Sequence, residues 1–347
     1  MMEDILENQR IALIAGHFDR PPHRINRIHE ADAELVDLGD ASGQYLAATA
    51  DALVEEVESG LYADPALIGW MLAMANFSDL AAVGADPLGL LVTISSSPAQ
   101  DEDYLSRLAG GIAEACRALH TYVLGGDTNE GGHLSLSGCA LGLVPKSEVI
   151  TRVGARPGDR VYLTGPAGLG GVYAFSRLSG RSSDPVDPFY KPVARINEGR
   201  VIRKFAACAM DTSDGLIHTL DTLMRLNRCQ FVIEDNWERI LHPLAGSVCR
   251  AQGIPPWVAL AAVHGEFEVC FTIRPDREND FLSAAGAEGW SPVFIGSVDE
   301  GLAVSIRRGE GRVPLDTALM RNLAASAGAD PQAYIGKLLE IAREAGV

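Results

Sequence analysis

Aspartates recur beside small residues within or next to the apolar segments of this chain. Asp51 lies inside the apolar run 45–54, and Asp79 lies inside the apolar run 68–84. Burial of a carboxylate is unfavourable unless it is paired or bound to a metal ion, so a single one would usually be a helix cap or a salt-bridge partner. Several together favour a magnesium site built from oxygen ligands. The candidate ligands are Asp40, Asp51, Asp79, Asp127, Asp211 and Asp214.

Two glycine-containing segments are candidates for phosphate binding. Gly125 and Gly126 precede Asp127 at the predicted end of a strand, where the missing side chains would let the backbone approach a phosphate. The glycine-rich segment 165–171 lies between a predicted strand and a predicted helix, but it lacks the Lys-Ser/Thr ending of a P-loop. This segment is either a phosphate-binding turn or simply a tight connection.

The distribution of basic residues limits the type of phosphate site. The first lysine of the chain is Lys146. In the first half of the chain, phosphate charge must therefore be met by metal, by backbone N–H groups or by arginine. This argues against a Walker-type or protein-kinase site, because both use a lysine. The chain has no Gly-Xaa-Ser-Xaa-Gly segment, so a serine-hydrolase mechanism is not indicated either.

The elements that must position these residues follow an α/β pattern in the first half of the chain. The 64–84 segment predicts a helix, with Asp64 as its N-cap and Gly84 at its C-terminal end. A second helix is predicted over 101–119, with acids in its first turn. Strands are predicted over 45–54, 88–95, 122–124 and 134–144.

A second α/β unit follows a connector at 145–159 that is rich in proline and glycine. We expect an N-terminal arm over 1–38, one domain over 39–150 and a second over 151–347. Predicted strands of the second domain are 160–165, 230–234, 267–273 and 292–297. Its predicted helices lie near 170–178, 193–208 and 214–226, with a last helix from about 331 and an exposed loop over 181–190.

Composition excludes several classes of partner. The net charge is −17, which disfavours binding to nucleic acid or to an anionic membrane surface. No apolar run is long enough to span a bilayer, and the N-terminus does not match a signal peptide. The six cysteines form no Cys-Xaa-Xaa-Cys pair and are expected to be free, buried thiols. A cytoplasmic protein is therefore expected.

Taken in order, several segments resemble the superfamily of aminoimidazole ribonucleotide synthase, and within it most closely the thiamine-monophosphate kinases. The resemblance runs from about residue 39 to 298. The matching segments are 49–55, 68–87, Gly-Gly-Asp-Thr at 125–128, Arg-Val-Gly-Ala-Arg-Pro-Gly-Asp at 152–159, Met-Asp-Thr-Ser-Asp-Gly-Leu at 210–216 and Phe-Ile-Gly-Ser-Val at 294–298.

This resemblance implies a two-domain α/β (α+β) fold of the PurM-like type. The N-terminal sheet domain would form a barrel with its copy in a homodimer, and the C-terminal domain would be layered α/β. ATP would bind between the domains with Mg²⁺ on its phosphates. Asp40, Asp51, Asp79 and Asp127 would be metal ligands. From the second domain, Asp211 and Asp214 would be metal ligands and catalytic residues. Gly125, Gly126, Arg152 and Ser213 would contact the nucleotide.

The chain departs from the kinase pattern on the expected acceptor side. Glu56-Val57-Glu58 follows Val54-Glu55 where the kinases have Gly-Val-His, and the segment 265–269 is one residue shorter than its counterpart. If Glu56 and Glu58 line the acceptor pocket, their charge would oppose a phosphorylated acceptor. Thiamine monophosphate would then be a weak substrate or be held by other residues, and a different acceptor, cationic or neutral, would be preferred. The alternative is that both glutamates face solvent.

Three functions therefore compete. The first is a Mg²⁺–ATP-dependent kinase acting on thiamine monophosphate or a similar small-molecule phosphate acceptor. The second is an ATP-dependent ligase or cyclase that activates an amide-type oxygen by phosphorylation. The third is a nucleotide-binding protein without turnover, which the number of candidate metal ligands disfavours.

Overall fold

The computed structural model describes residues 5–19, 22–39, 42–178, 190–261, 264, 266–323 and 331–345. These residues form two β-sheets, one from each half of the chain, with helices packed against them. Among them, no helix combines the length and the apolar character needed to cross a bilayer. All six cysteines are free, as expected, and only Cys139 is not fully buried.

The first sheet has five strands in the order β1-β2-β5-β3-β4. Its neighbouring strands are antiparallel except for β3 and β4, which are parallel. The strands are β1 (Glu34–Val36), β2 (Gln44–Leu53), β3 (Asp86–Ser96), β4 (Val123–Glu130) and β5 (Ser135–Pro145). The predicted strands are all present, but the segment expected to end at residue 124 continues to Glu130. Gly125, Gly126 and Asp127 therefore lie within an edge strand and not in a turn after it.

The N-terminal segment joins this sheet. Helix α1 (Leu6–Ala15) precedes β1, and β1 pairs with β2 along the edge opposite to β4. Residues 34–36, which we expected in the arm, are thus part of the first sheet. The proposed domain division remains a prediction in other respects. Asp40, a predicted metal ligand, falls outside the described residues.

Helix α3 (Pro65–Ala82) is the element on which both halves of the molecule pack. It follows the short helix α2 (Glu55–Glu58) and begins as predicted, because the Asp64 side chain accepts a hydrogen bond from the backbone N–H of Ala66. The helix contacts β2, β5 and helix α4 (Glu102–Ala118) on one side. On the other side it contacts helix α6 (Ile196–Ile202) and strand β7 (Ala206–Asp211) of the second half. This double contact explains why its apolar residues extend all round the helix.

The second sheet has seven strands in the order β12-β11-β8-β10-β6-β9-β7. All neighbouring pairs are antiparallel except β11 and β8. The strands not yet given are β6 (Arg160–Leu163), β8 (Gln230–Ile233), β9 (Val269–Ile273), β10 (Val293–Asp299), β11 (Val304–Arg308) and β12 (Gly311–Leu315). The sequence did not predict β7, β11 or β12.

The remaining helices belong to the second half of the chain. They are α5 (Leu169–Leu178), α7 (Leu216–Asn227), α8 (Trp237–Ile240), α9 (Pro243–Gln252), α10 (Pro256–Ala259), α11 (Glu278–Ala287), α12 (Thr317–Met320) and α13 (Pro331–Ala345). The helix predicted over 193–208 was too long, because it ends at Ile202 and the chain then enters β7. Most of the predicted loop 181–190 lies outside the described residues.

Two glycines allow α3 and α4 to pack backbone against backbone. A Cβ atom added to Gly111 would lie 2.0 Å from the carbonyl oxygen of Ala66, and one added to Gly69 would lie 2.0 Å from that of Leu108. Neither distance is sterically possible without movement of a helix. The position of α3, and of every residue it carries, therefore depends on the absence of these side chains.

We predict that Gly111→Ala lowers the free energy of unfolding by about 1–3 kcal/mol, because the helices must separate. The matched control is Gly110→Ala, where an added Cβ meets no atom within 4 Å. That substitution should be neutral or raise stability by up to about 1 kcal/mol, because alanine is the better helix former. Thermal or urea unfolding measures both. Equal effects of the two substitutions would contradict the close packing.

Candidate active site

Three aspartates from distant parts of the chain meet between the two sheets. Asp32 lies just before β1, Asp79 lies on α3, and Asp211 ends β7. One carboxylate oxygen from each lies within 4.8 Å of the other two. The site therefore exists only when both halves of the molecule pack on α3.

Hydroxyl groups and an arginine hold these carboxylates in place. Ser78 on α3 donates to Oδ2 of Asp211 at 2.7 Å, and Ser213 donates to its Oδ1 at 3.1 Å. Thr49 on β2 donates to Oδ2 of Asp79. Arg152 donates from Nη2 to Oδ1 of Asp32 at 2.8 Å. These hydrogen bonds fix the orientation of each carboxylate, but they do not neutralise the combined charge of the three.

Burial and mutual repulsion make ionisation of this cluster unfavourable. Burial raises the pKa of Asp79 well above its usual range, and the neighbouring charges of Asp51 and Asp211 raise it further. Burial, together with the charge of Asp32, raises the pKa of Asp211 to about 7. Burial would lower the pKa of Arg152, but the charge and hydrogen bond of Asp32, together with the charges of Asp79 and Asp211, outweigh burial and raise it, so this arginine stays cationic. One cation does not balance three carboxylates.

An unpartnered oxygen atom in the cluster indicates that these aspartates fit a divalent metal ion. Oδ2 of Asp32 is buried and has no hydrogen-bond partner among the described residues. An unpartnered carboxylate oxygen is costly to bury, and coordination of a hard cation would satisfy it. Coordination would also relieve the repulsion that raises the pKa of Asp79 and Asp211.

Two further predicted residues lie at the rim of this cluster. The backbone N–H of Asp51 on β2 donates to Oδ1 of Asn76 on α3 at 3.1 Å, which fixes β2 against the helix. Burial raises the pKa of Asp51, and the charge of Asp51 in turn raises the pKa of Asp79. Asp214 lies in the turn before α7, with Oδ2 3.9 Å from Nε2 of His218. Its charge contributes to the raised pKa of both Asp51 and Asp211.

The remaining predicted residues do not join the cluster in this structure. Asp127 is exposed on edge strand β4 and accepts a hydrogen bond from Asn129. Two strands, β5 and β3, separate it from β2, so its role as a metal ligand stays a prediction, as do the nucleotide contacts of Gly125 and Gly126 on the same strand. Arg152 was predicted to contact ATP, whereas here its guanidinium is paired with Asp32.

Asp32 was not predicted from the sequence. It lies in Glu30-Ala31-Asp32-Ala33-Glu34, an acid between two alanines immediately before β1. This is the same small-residue setting that singled out Asp51. The signal was missed because the segment was assigned to the arm and Asp40 was taken as the first ligand.

Family models and known proteins match this chain over most of its length. Residues 30–144 match the model for the N-terminal domain of AIR synthase related protein, and residues 156–308 match the model for its C-terminal domain. The thiamine-monophosphate kinase of Escherichia coli K12 is 32% identical over 319 residues, which cover 86% of this chain and 94% of that protein. The enzyme of the same description from Pyrococcus abyssi is 29% identical over 301 residues, covering 85% of this chain and 92% of that protein.

Solved structures share the fold. The structure of tt0281 from Thermus thermophilus is 25% identical, with a TM-score of 0.73 over 88% of this chain and 97% of that one. A structure of AaThiL complexed with AMPPCP and TMP is 24% identical, with a TM-score of 0.71 over 88% of this chain and 95% of that one. The HypE–HypF complex gives a TM-score of 0.70 at 19% identity, covering 88% of this chain and 98% of the matched chain.

Proposed function

The chain belongs to the AIR synthase related family and, within it, to the thiamine-monophosphate kinases, and we propose that it transfers the γ-phosphate of ATP to thiamine monophosphate at the Asp32–Asp79–Asp211 cluster. The observation that carries this assignment is a buried set of three carboxylates, contributed by both halves of the chain, in a fold shared with a protein complexed with AMPPCP and TMP. These relatives favour the kinase over the ligase or cyclase.

Mg²⁺ bound with ATP is the cation we propose for this cluster. Asp32, Asp79 and Asp211 would be its ligands, with Asp51 and Asp214 at the rim. The ion would neutralise charge on the transferred phosphate. The residues themselves supply alignment: Ser78 and Ser213 fix the Asp211 carboxylate, and Arg152 fixes that of Asp32.

The acceptor requires no general base. A phosphate monoester loses its second proton with a pKa near 6, so at neutral pH most of the acceptor already carries an anionic oxygen. That oxygen attacks the γ-phosphorus, the bond to the β-phosphate oxygen breaks, and thiamine diphosphate and ADP result. Asp211 and Asp214, predicted as catalytic residues, therefore act through charge and positioning and not as proton acceptors.

Glu56 and Glu58 have different surroundings, which changes the expectation for the acceptor. Glu58 is exposed at the end of α2, whereas Glu56 is half-buried. Burial raises the pKa of Glu56, and the charges of Glu55 and Asp214 raise it further. No cation pairs with Glu56 within the described part of the chain. The thiazolium ring of thiamine monophosphate is cationic, so we propose that Glu56 attracts this ring, which agrees with the cationic acceptor considered from the sequence.

We predict thiamine diphosphate formation from thiamine monophosphate and ATP in the presence of Mg²⁺, and none with EDTA. Glu56→Gln should raise KM for thiamine monophosphate about tenfold, a loss of about 1.4 kcal/mol, with KM for ATP little changed. Glu58→Gln is the matched control and should behave like the wild type. No product from the wild type would refute the kinase assignment. Equal KM values for the two variants would refute the role of Glu56 alone.

Among the residues that the structure describes, no helix packs against one face of the first sheet. Gly138 on β5 faces α3, since a Cβ there would lie 2.5 Å from the Asn76 side chain. Cys139 and Leu141 therefore point to the opposite face, and Leu91, the registered neighbour of Cys139, shares it. The adjoining edge strand β4 is exposed throughout, and Leu124 on it is 51% exposed. We propose that a second copy of this chain covers this face, because an exposed edge strand beside an apolar surface is usually covered by a partner.

Light scattering at micromolar concentration should therefore give the mass of a dimer. Leu91→Glu should shift the protein towards the monomer, because it places a charge in the proposed interface. Leu302→Glu is the control, since Leu302 is 60% exposed and lies in the second half of the chain. A monomeric wild type, or equal dissociation of the two variants, would contradict the proposal.

A further inference from the structure

Three buried tyrosines form a stack where the second half of the chain meets the segment that follows α2. Tyr62 lies between α2 and α3, Tyr173 lies on α5, and Tyr190 precedes α6. The rings of Tyr173 and Tyr190 are nearly parallel, with their centroids 4.1 Å apart, and the ring of Tyr62 stacks against them at 6.3 and 6.4 Å. Each of the three residues is at most 4% exposed, so the stack is part of the core and not a surface for a substrate.

Hydroxyl groups of this stack bind the main chain that follows α2. The Tyr173 hydroxyl donates to the carbonyl oxygen of Leu61 at 3.1 Å, and the Tyr62 hydroxyl lies 3.5 Å from that of Tyr190. Burial raises the pKa of Tyr62 and of Tyr190, so these two hydroxyls stay protonated. A carbonyl group of the first half of the chain is therefore held by a side chain of the second half, in addition to the packing of both halves on α3.

None of the four residues of helix α2 is fully buried, so the helix depends on the residues that follow it. A helix of one turn is unstable without tertiary contacts. Leu61 and Tyr62, which come soon after its end, are 0% and 4% exposed. The backbone N–H of Tyr62 also donates to the carbonyl oxygen of Glu56 at 3.2 Å. The tyrosine stack is therefore connected to Glu56 through Leu61 and Tyr62.

The segment that carries Tyr190 is itself bound to the first half of the chain. The carbonyl oxygen of Pro192 accepts a hydrogen bond from Nε1 of Trp70 on α3 at 2.6 Å. The ammonium group of Lys191 lies 4.1 Å from the centroid of the Trp70 ring and forms an ion pair with Glu114 on α4. These contacts fix the stack relative to α3, so it can hold α2 at a defined place beside the site.

We propose that Tyr173 is a positioning residue for the kinase reaction, which holds α2 through Leu61 and Tyr62 in the orientation that directs Glu56 towards the cationic ring of the acceptor. This inference rests on the proposed function, because Glu56 is the group that would contact the substrate. Glu56 is half-buried and senses the charge of Asp214, so a rotation of α2 would move its carboxylate away from the site. Tyr173 is buried and acts only through this connection.

Hydrogen exchange of the α2 segment tests the anchor without reference to any substrate. Tyr173→Phe keeps the stacked ring and removes only the hydroxyl that binds Leu61, so the amides of residues 56–62 should exchange about threefold to tenfold faster. Tyr162→Phe is the matched control, because Tyr162 on β6 is equally buried and its hydroxyl donates to Glu278. The control should leave these amides unchanged. Equal exchange in wild type and Tyr173→Phe would overturn the proposal.

Steady-state kinetics test the connection to Glu56. Tyr173→Phe should raise KM for thiamine monophosphate about fivefold, as expected for the loss of one neutral hydrogen bond, with kcat and KM for ATP little changed. Tyr162→Phe should leave all three values unchanged. The double variant Tyr173→Phe/Glu56→Gln should show about the same tenfold rise as Glu56→Gln alone, because Tyr173 acts only through Glu56.

The outcomes separate the two proposals. A rise of about fiftyfold in the double variant, the product of two independent effects, would overturn the positioning role while leaving the kinase function intact. Absence of product from the wild type would refute the kinase function and with it the role of Tyr173 in substrate binding. In that case, faster exchange in Tyr173→Phe would still show that Tyr173 anchors α2.

Discussion

The packing of three carboxylates within 4.8 Å of one another is the interaction on which the rest of this structure depends. Three like charges in a buried position are unfavourable, and the cation of Arg152 offsets only part of that repulsion. The fold nevertheless brings them together from three segments, because α3 packs against both sheets and carries Asp79 between them. Such an arrangement is retained at a cost in stability and is typical of a functional site.

Charge divides the surroundings of this cluster into regions with different tasks. The cluster itself is strongly acidic and suits a divalent cation with a nucleotide. Glu56 adds a further acid near Asp214 that pairs with no cation among the described residues, which suits a cationic ring. A substrate that carries a phosphate and a cationic ring would meet a matching environment for each part, and thiamine monophosphate has both.

The sequence predicted the helices and strands whose apolar periodicity follows from burial. It did not predict strands and contacts that depend on residues far apart in the chain. Helix α3 and strand β2 were recognised because their apolar patterns and caps are local. The first residues of strand β7 were assigned to the helix predicted over 193–208, because the short apolar run at 206–211 directly follows α6 and no turn signal separates the two. Asp32 was missed for a related reason. Its role depends on contact with Asp79 and Asp211. Both lie far from Asp32 in the sequence, so no local pattern reveals the contact. Similarly, the ion pair of Arg152 with Asp32 could not be inferred before β1 was placed.

The most direct test of the account is the steady-state rate of thiamine diphosphate formation by Asp32→Asn, with Asp37→Asn as the control. Asp37 lies five residues further along and forms an ion pair with Lys146, away from the cluster. Asparagine keeps the shape of Asp32 but removes the charge that a divalent cation requires. The account predicts that Asp32→Asn lowers kcat on the order of a hundredfold or more, while Asp37→Asn stays close to the wild type. A folded Asp32→Asn variant with wild-type turnover would contradict the central role of the three-aspartate cluster.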